Sequence, residues 1–177
     1  MGITKNHIDA SHDILNIMES WMENEQSEID STEAISIIAS LAGSFLFRSF
    51  GLKLDNVKPG TIINIHSEEE KTKENQLIIL THSSLELLGI KTNINKTPNE
   101  YIKHAKSNFL DVINKVQGPA VQIMKKYNLS YEQMAQSAVI ATAFFIQKRK
   151  EITIDDGLET AIYYYYVGSR TYPPDFE

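Results

Sequence analysis

One local signal recurs along this chain and limits what it can fold into. A side chain able to accept hydrogen bonds from free backbone N–H groups is followed, three residues later, by an acid or amide able to reach back. The pattern occurs at Asp30 with Glu33, Ser67 with Glu70, Thr97 with Glu100, Ser130 with Gln133 and Thr153 with Asp156. This reciprocal arrangement opens an α-helix by satisfying donors that have no intrahelical partner. Pro98 reinforces the third case, because proline suits the first helical position. Residues that tolerate left-handed backbone stand at Gly51, Gly89, Asn128 and Gly168, and each reads as the end of a helix. Starts answered by stops predict an all-α protein.

Hydrophobic periodicity agrees. Between Ser11 and Asn24, the residues Ile14, Leu15, Met18, Trp21 and Met22 form one apolar stripe, the mark of a helix with one buried face. Residues 68 to 88 carry Leu77, Leu80, Thr81, Leu85 and Leu88, and residues 98 to 117 carry Ile102, Ala105, Phe109, Val112, Ile113 and Val116. Gly118-Pro119 is expected to break or kink the chain before a short piece ending at Tyr127. Residues 32 to 50 and Ala135 to Ile146 are apolar almost all round, as central helices are. Their Ala39, Ala42, Gly43, Ala135, Ala138 and Ala141 leave room for two backbones to approach, so a bundle built around this pair is expected.

Two stretches depart from this pattern. Leu52 to His66 contains Pro59-Gly60 and then Thr61-Ile62-Ile63-Asn64-Ile65, too short for a helix; it reads as an extended arm or an edge strand, with Ile90 to Asn95 as a candidate neighbour. Residues 152 to 172 permit a hairpin at Asp156-Gly157, since tyrosine and isoleucine favour strands. Leu158, Ala161, Ile162 and Tyr165 share a helical face, however, and the helix is the reading adopted. Consecutive tyrosines on a helix point in different directions, so some face solvent or a second subunit covers them. A symmetric homodimer is the simplest cover, with Tyr163, Tyr164, Tyr166 and Tyr172 at the interface.

The chain has 177 residues, enough for one domain that buries roughly 70% of its unfolded surface. It is read as a single all-α domain over residues 1–177: a bundle of about six or seven helices with one irregular segment near 52–66. Cysteine is absent, which excludes disulfides, thiolate zinc sites and cysteine nucleophiles. Neither an N-terminal secretory signal nor an apolar run of membrane-spanning length is evident, so a cytoplasmic protein with no membrane partner is expected. Asn6 stands where a myristoylation signal needs Ser or Thr. A net charge of −6 disfavours nucleic acid. Lys148-Arg149-Lys150 reads as a complement to the negative end of a helix.

Candidate chemistry is sparse. His82 with Glu86 and Glu100 with His104 are spaced to share a helix face, but the chain has no Glu-x-x-His of the kind that carboxylate-bridged metal bundles use. No metal or cofactor is expected. Glu68, Glu69 and Glu70 occupy a predicted first helical turn, where negative charge meets the positive end of the dipole. Glycine-rich phosphate loops and a G-x-S-x-G elbow are absent. The opening of Leu129 to Ala135 has the form of a helix-turn-helix start, yet the helical pattern continues to Ile146 without the break that motif needs.

A stripe of small hydroxyls, Ser36, Ser40 and Ser44, runs along residues 32 to 50 and ends at Arg48. Arginine is used three times against fourteen lysines, and its rigid fork suits carboxylates and phosphates. Arg48 and Arg170 both lie at predicted helix ends beside apolar and hydroxyl residues. The structural account has each of them bind the last carbonyls of its own helix or pair with an acid in the core. The functional expectation is a non-catalytic protein acting through self-association and binding of a protein partner. The alternative is a bundle that binds or turns over a small anionic ligand in a groove lined by Ser40, Ser44, Arg48 and Arg170.

Overall fold

The computed structural model describes residues 2–24, 29–64, 67–93 and 108–176. Among them lie six helices: α1 (Lys5–Met22), α2 (Ser31–Ser49), α3 (Glu68–Leu87), α4 (Phe109–Lys126), α5 (Tyr131–Lys148) and α6 (Ile154–Ser169). The molecule is an all-α bundle. Asp30 accepts from the Glu33 backbone N–H at 2.9 Å and Thr153 from that of Asp156 at 3.1 Å. Ser67 with Glu70 and Ser130 with Gln133 form complete capping boxes. Thr97, Pro98, Glu100 and the Glu100–His104 pair lie outside the described residues. α1 begins at Lys5, about two and a half turns before the apolar stripe that marks it, because Thr4 and His7 form a capping box in which a histidine takes the place of the usual acid or amide.

α2 is the centre. Every residue from Glu33 to Phe47 is buried, and the helix packs against α4, α5 and α6. α5 is buried almost as fully and also carries α1 and α3. The tightest approach, however, is between α2 and α6 rather than between α2 and α5. A Cβ placed on Gly43 would run into the carbonyl oxygen of Tyr165 and come within 2.8 Å of Gly168 Cα. A Cβ on Gly168 would meet the Ser40 carbonyl and come within 2.9 Å of Gly43 Cα and Ser44 N. The two backbones therefore touch where both helices lack a side chain. Gly168 does not end its helix, contrary to the sequence expectation: α6 continues through Ser169, and the glycine serves packing. Gly51, Gly89 and Asn128 do adopt positive φ, of 64°, 83° and 52°.

Two further expectations are corrected. α4 runs unbroken through Gly118 and Pro119 to Lys126. An interior proline costs roughly 3 kcal/mol. Burial of Val112, Ile113, Val116, Ala120, Val121 and Ile123 along one face offsets that cost. Gly118 and Pro119 are exposed, so the carbonyl left without a partner can turn to water. Among the described residues, the segment after Pro59 pairs with the chain beyond α6 rather than with residues 90–93, and Ile94 and Asn95 lie outside the described residues. Ile62 and Thr171 form an antiparallel bridge, flanked by Gly60 N–H to Tyr172 O at 2.8 Å and Ile63 N–H to Arg170 O at 2.7 Å.

The inner face of α3 is mostly polar. Its buried residues are Glu74, Leu77, Thr81, His82, Ser84 and Leu85. Ile79 is 50% exposed and Leu87 is 89% exposed on the same helix. Ile79 and Leu87 thus stand exposed among polar residues, while four of the six buried positions of the helix are polar.

The α2–α6 crossing gives a direct test. Gly43→Ala and Gly168→Ala should each lower unfolding free energy by about 3 kcal/mol or prevent folding, because backbone cannot yield as a flexible side chain does. Gly118→Ala, where an added Cβ meets nothing within 4 Å, should stay within about 1 kcal/mol of the parent. Urea titration of the three variants measures the difference.

Candidate functional site

The hydroxyl stripe of α2 follows from the same crossing. Ser36 Oγ donates to the Glu33 carbonyl at 2.7 Å. Ser40 and Ser44 are 2% and 3% exposed and lie where Gly168 presses on the α2 backbone. Small residues there let α6 seat closely. The hydroxyls line a helix–helix seam.

The two arginines leave that seam in search of different partners. Arg170 forks onto Glu74 of α3, Nε to Oε1 at 3.0 Å and Nη2 to Oε2 at 2.8 Å, and stacks 4.5 Å over Tyr166. Ser169 Oγ donates to the same carboxylate at 2.5 Å. Glu74 is a side chain only 3% exposed, so three charge-assisted bonds hold it in place of water. Its position in the sequence, amid lysines and other acids, does not distinguish it from a surface residue.

Arg48 binds no carbonyl of its own helix. Its Nη2 donates to Gln117 Oε1 at 3.2 Å and to the Pro174 carbonyl, and its guanidinium lies 3.8 Å from the centre of the Phe176 ring. Gln117 also donates to the Asp175 carbonyl at 3.3 Å. Phe176 packs against Phe45 and Tyr131 at 6.3 and 6.1 Å between centroids. The chain after α6 is thus strapped over the end of α2. Among the described residues, no carboxylate lies within ion-pair distance of Arg48, and burial pushes its pKa down.

Beside this strap lies a cleft of about 660 Å³, walled by α4 through Asn114, Gln117, Gly118, Val121, Gln122, Met124 and Lys125, by Tyr131, and by Pro174, Asp175 and Phe176. A second groove, of about 280 Å³, runs between α3 and α5. It is lined by Leu46, Leu77, Ile79, Leu80 and the N-terminal Ile3, with Lys73, Gln76, Ser83, Glu132 and Gln136 around it.

The remaining candidates are engaged within the chain. Tyr165 is 2% exposed, bonds Thr81 Oγ1 at 3.0 Å, and burial pushes its phenol up to about 12. Tyr163 and Tyr164 meet edge to face at 5.0 Å, and Tyr172 stands edge-on to Phe47 at 6.0 Å. Tyr163, Tyr164, Tyr166 and Tyr172 are all half-buried. His82 Nδ1 lies 2.7 Å from Thr92 Oγ1, and burial lowers its pKa against the pull of Glu86. Glu68 and Glu69 pair with Lys71 and Lys73 at 2.9 and 3.3 Å. No three metal-binding side chains cluster among the described residues, and no helix of these residues is long and apolar enough to cross a membrane. No known family, curated protein or solved structure matches the chain.

His7 carries a measurable consequence. It is fully buried, and the Thr4 backbone N–H donates to its Nδ1 at 3.1 Å. That nitrogen must be unprotonated, so the ring is neutral with its hydrogen on Nε2, near Gln136. Burial lowers the pKa of His7, partly opposed by Gln136, and burial also lowers that of His82. As pH falls below about 6.5 the unfolded chain takes up these protons before the folded chain does. Stability should be full above that pH and drop as pH falls through the range between the unfolded and folded values. Replacing both histidines with Gln should flatten the loss, read as Tm against pH.

Proposed function

We propose that this is a non-catalytic helical protein that works through self-association, with the outward face of α3 as the contact surface. One observation carries the reading: α3 buries Glu74, Thr81 and His82 while exposing Ile79 and Leu87. Leu87, almost fully exposed, forgoes roughly 1.5–3 kcal/mol of burial, and the half-exposed Ile79 about half as much. A second surface covering the helix recovers it. Ile79, Ser83 and Leu87 follow one another along the same side, and Ile3 extends the apolar patch across the groove.

The rim favours a second copy of this chain as the cover. Lys73 lies 3.5 Å from Glu132 beside the groove, so the patch presents both signs of charge around an apolar centre. In a twofold contact the same patch meets itself, and a rim whose charges are already paired within each chain presents no net repulsion to its copy. The half-buried tyrosines of α6 spend much of their ring surface inside the chain, which makes α3 the stronger contact face. The chemistry-bearing residues Arg170, Glu74 and His82 already bond one another or their neighbours, which supports a binding role over a catalytic one.

Ile79→Asp combined with Leu87→Asp should convert a dimer to a monomer in light scattering after size exclusion. Both sites face water in the monomer, so Tm of the separated chain should change little. A parent protein that stays monomeric at high concentration, or a variant that still dimerises, would sink the proposal.

A further inference from the structure

We infer that the first turn of α1 is a pH-operated latch: protonation of His7 unfastens it and lifts Ile3 off the groove between α3 and α5. The inference does not depend on the α3 contact face. Among the described residues, the other capping boxes close with Glu70 and Gln133, whereas that of α1 closes with His7, which is fully buried. Its Nδ1 accepts from the Thr4 backbone N–H at 3.1 Å and lies 2.7 Å from the Thr4 hydroxyl. A protonated ring carries a hydrogen on that nitrogen. The Thr4 N–H then loses its acceptor and faces a second donor instead. Ile3, next to Thr4 in the chain, lines the groove with Leu46, Leu77 and Leu80, so the cap that fixes Thr4 also fixes Ile3.

The described surroundings oppose the new charge. Each helix from α2 to α6 has an acid in its first turn, but α1 has none and begins with Lys5. A cationic His7 therefore adds to the positive end of the helix dipole. Asp9, two residues on, projects from a different side of the helix. From α5 the Gln136 amide supports the charged ring, but burial acts against it more strongly. Charged groups on the neighbouring elements are engaged with one another: Glu132 of α5 lies 3.5 Å from Lys73 of α3, and Lys126 of α4 pairs with Asp13 at 2.7 Å. α2 carries its charges near its two ends, at Glu33 and Arg48. Below about pH 6.5 the open turn takes up a proton that the closed turn refuses, so the open fraction rises by up to about tenfold per pH unit.

Amide hydrogen exchange read residue by residue by NMR, with the His7 ring nitrogens followed in parallel, tests the latch. The His7 and Ile8 amides both donate to the Thr4 carbonyl. Their protection should fall by up to about tenfold between about pH 7.5 and about pH 5.5, in step with the ring titration, while the Ile3 methyl signals move to random-coil positions. The Ser130 amide, held by Gln133 at 2.9 Å, and the amides of α2 should keep their protection. His7→Gln gives the box an amide like that of Gln133 and should make exchange at α1 independent of pH. His82→Gln should open as the parent does. If His7→Gln does not fold, the match between ring titration and opening in the parent decides. A ring that takes up its proton without loss of protection, a His7→Gln variant that opens like the parent, or α2 amides that open in step with α1 would each overturn the latch.

Discussion

The contact between Gly43 and Gly168 is the constraint on which the rest of the structure depends. Two helix backbones can touch only where neither carries a Cβ, and each of these glycines faces the other across the seam. Once α6 lies this close to α2, Ser169 and Arg170 leave the seam beside α3, and the chain beyond them must pass over the C-terminal end of α2. Arg48, one turn past Ser44, is then in place to receive it. The bridge between Ile62 and Thr171 closes the path from the other side. An apparently irregular excursion, a C-terminal segment and two arginines are in this way ordered by one close approach.

α3 is held differently. It lacks a broad apolar face and is pinned by polar groups instead: Glu74 by Ser169 and Arg170, and Thr81 by Tyr165. Such contacts are directional, and each leaves a buried polar group unsatisfied if its partner is removed. They fix the rotation of α3 about its axis more sharply than leucines would. The side effect of that rotation is the outward placement of Ile79 and Leu87. Specific orientation and apolar exposure on this helix are two consequences of the same sequence choice.

How much of this was legible in the sequence depended on the range of the interaction. Caps act within four residues, and Asp30, Ser67, Ser130 and Thr153 announced their helices correctly. Asn108, which caps α4 through Asp111, was hidden because the apolar pattern appeared to start a turn or more earlier. Gly168 was misread because a glycine near the end of a helical pattern has two explanations, a left-handed stop or a close packing contact, and only the partner helix decides. Pro119 carries a local penalty that burial elsewhere in α4 outweighs. For Arg48 and Arg170 the choice of arginine hinted at a geometric demand. The identity of Glu74 and of the Pro174 carbonyl as partners depends on contacts 96 and 126 residues apart, which no local pattern encodes.

The two arginines, similar in their surroundings along the sequence, end with different partners, and the difference is one of topology. Arg170 emerges beside α3, where a buried carboxylate needs a cation, so its charge serves the fold and is spent there. Arg48 emerges beside α4 and the strap, where it bonds carbonyl oxygens and stacks on a ring within the field of Asp175. Packing at α2 and α6 thus commits both cations to the fold, one through a buried carboxylate and the other through the carbonyls and ring of the strap.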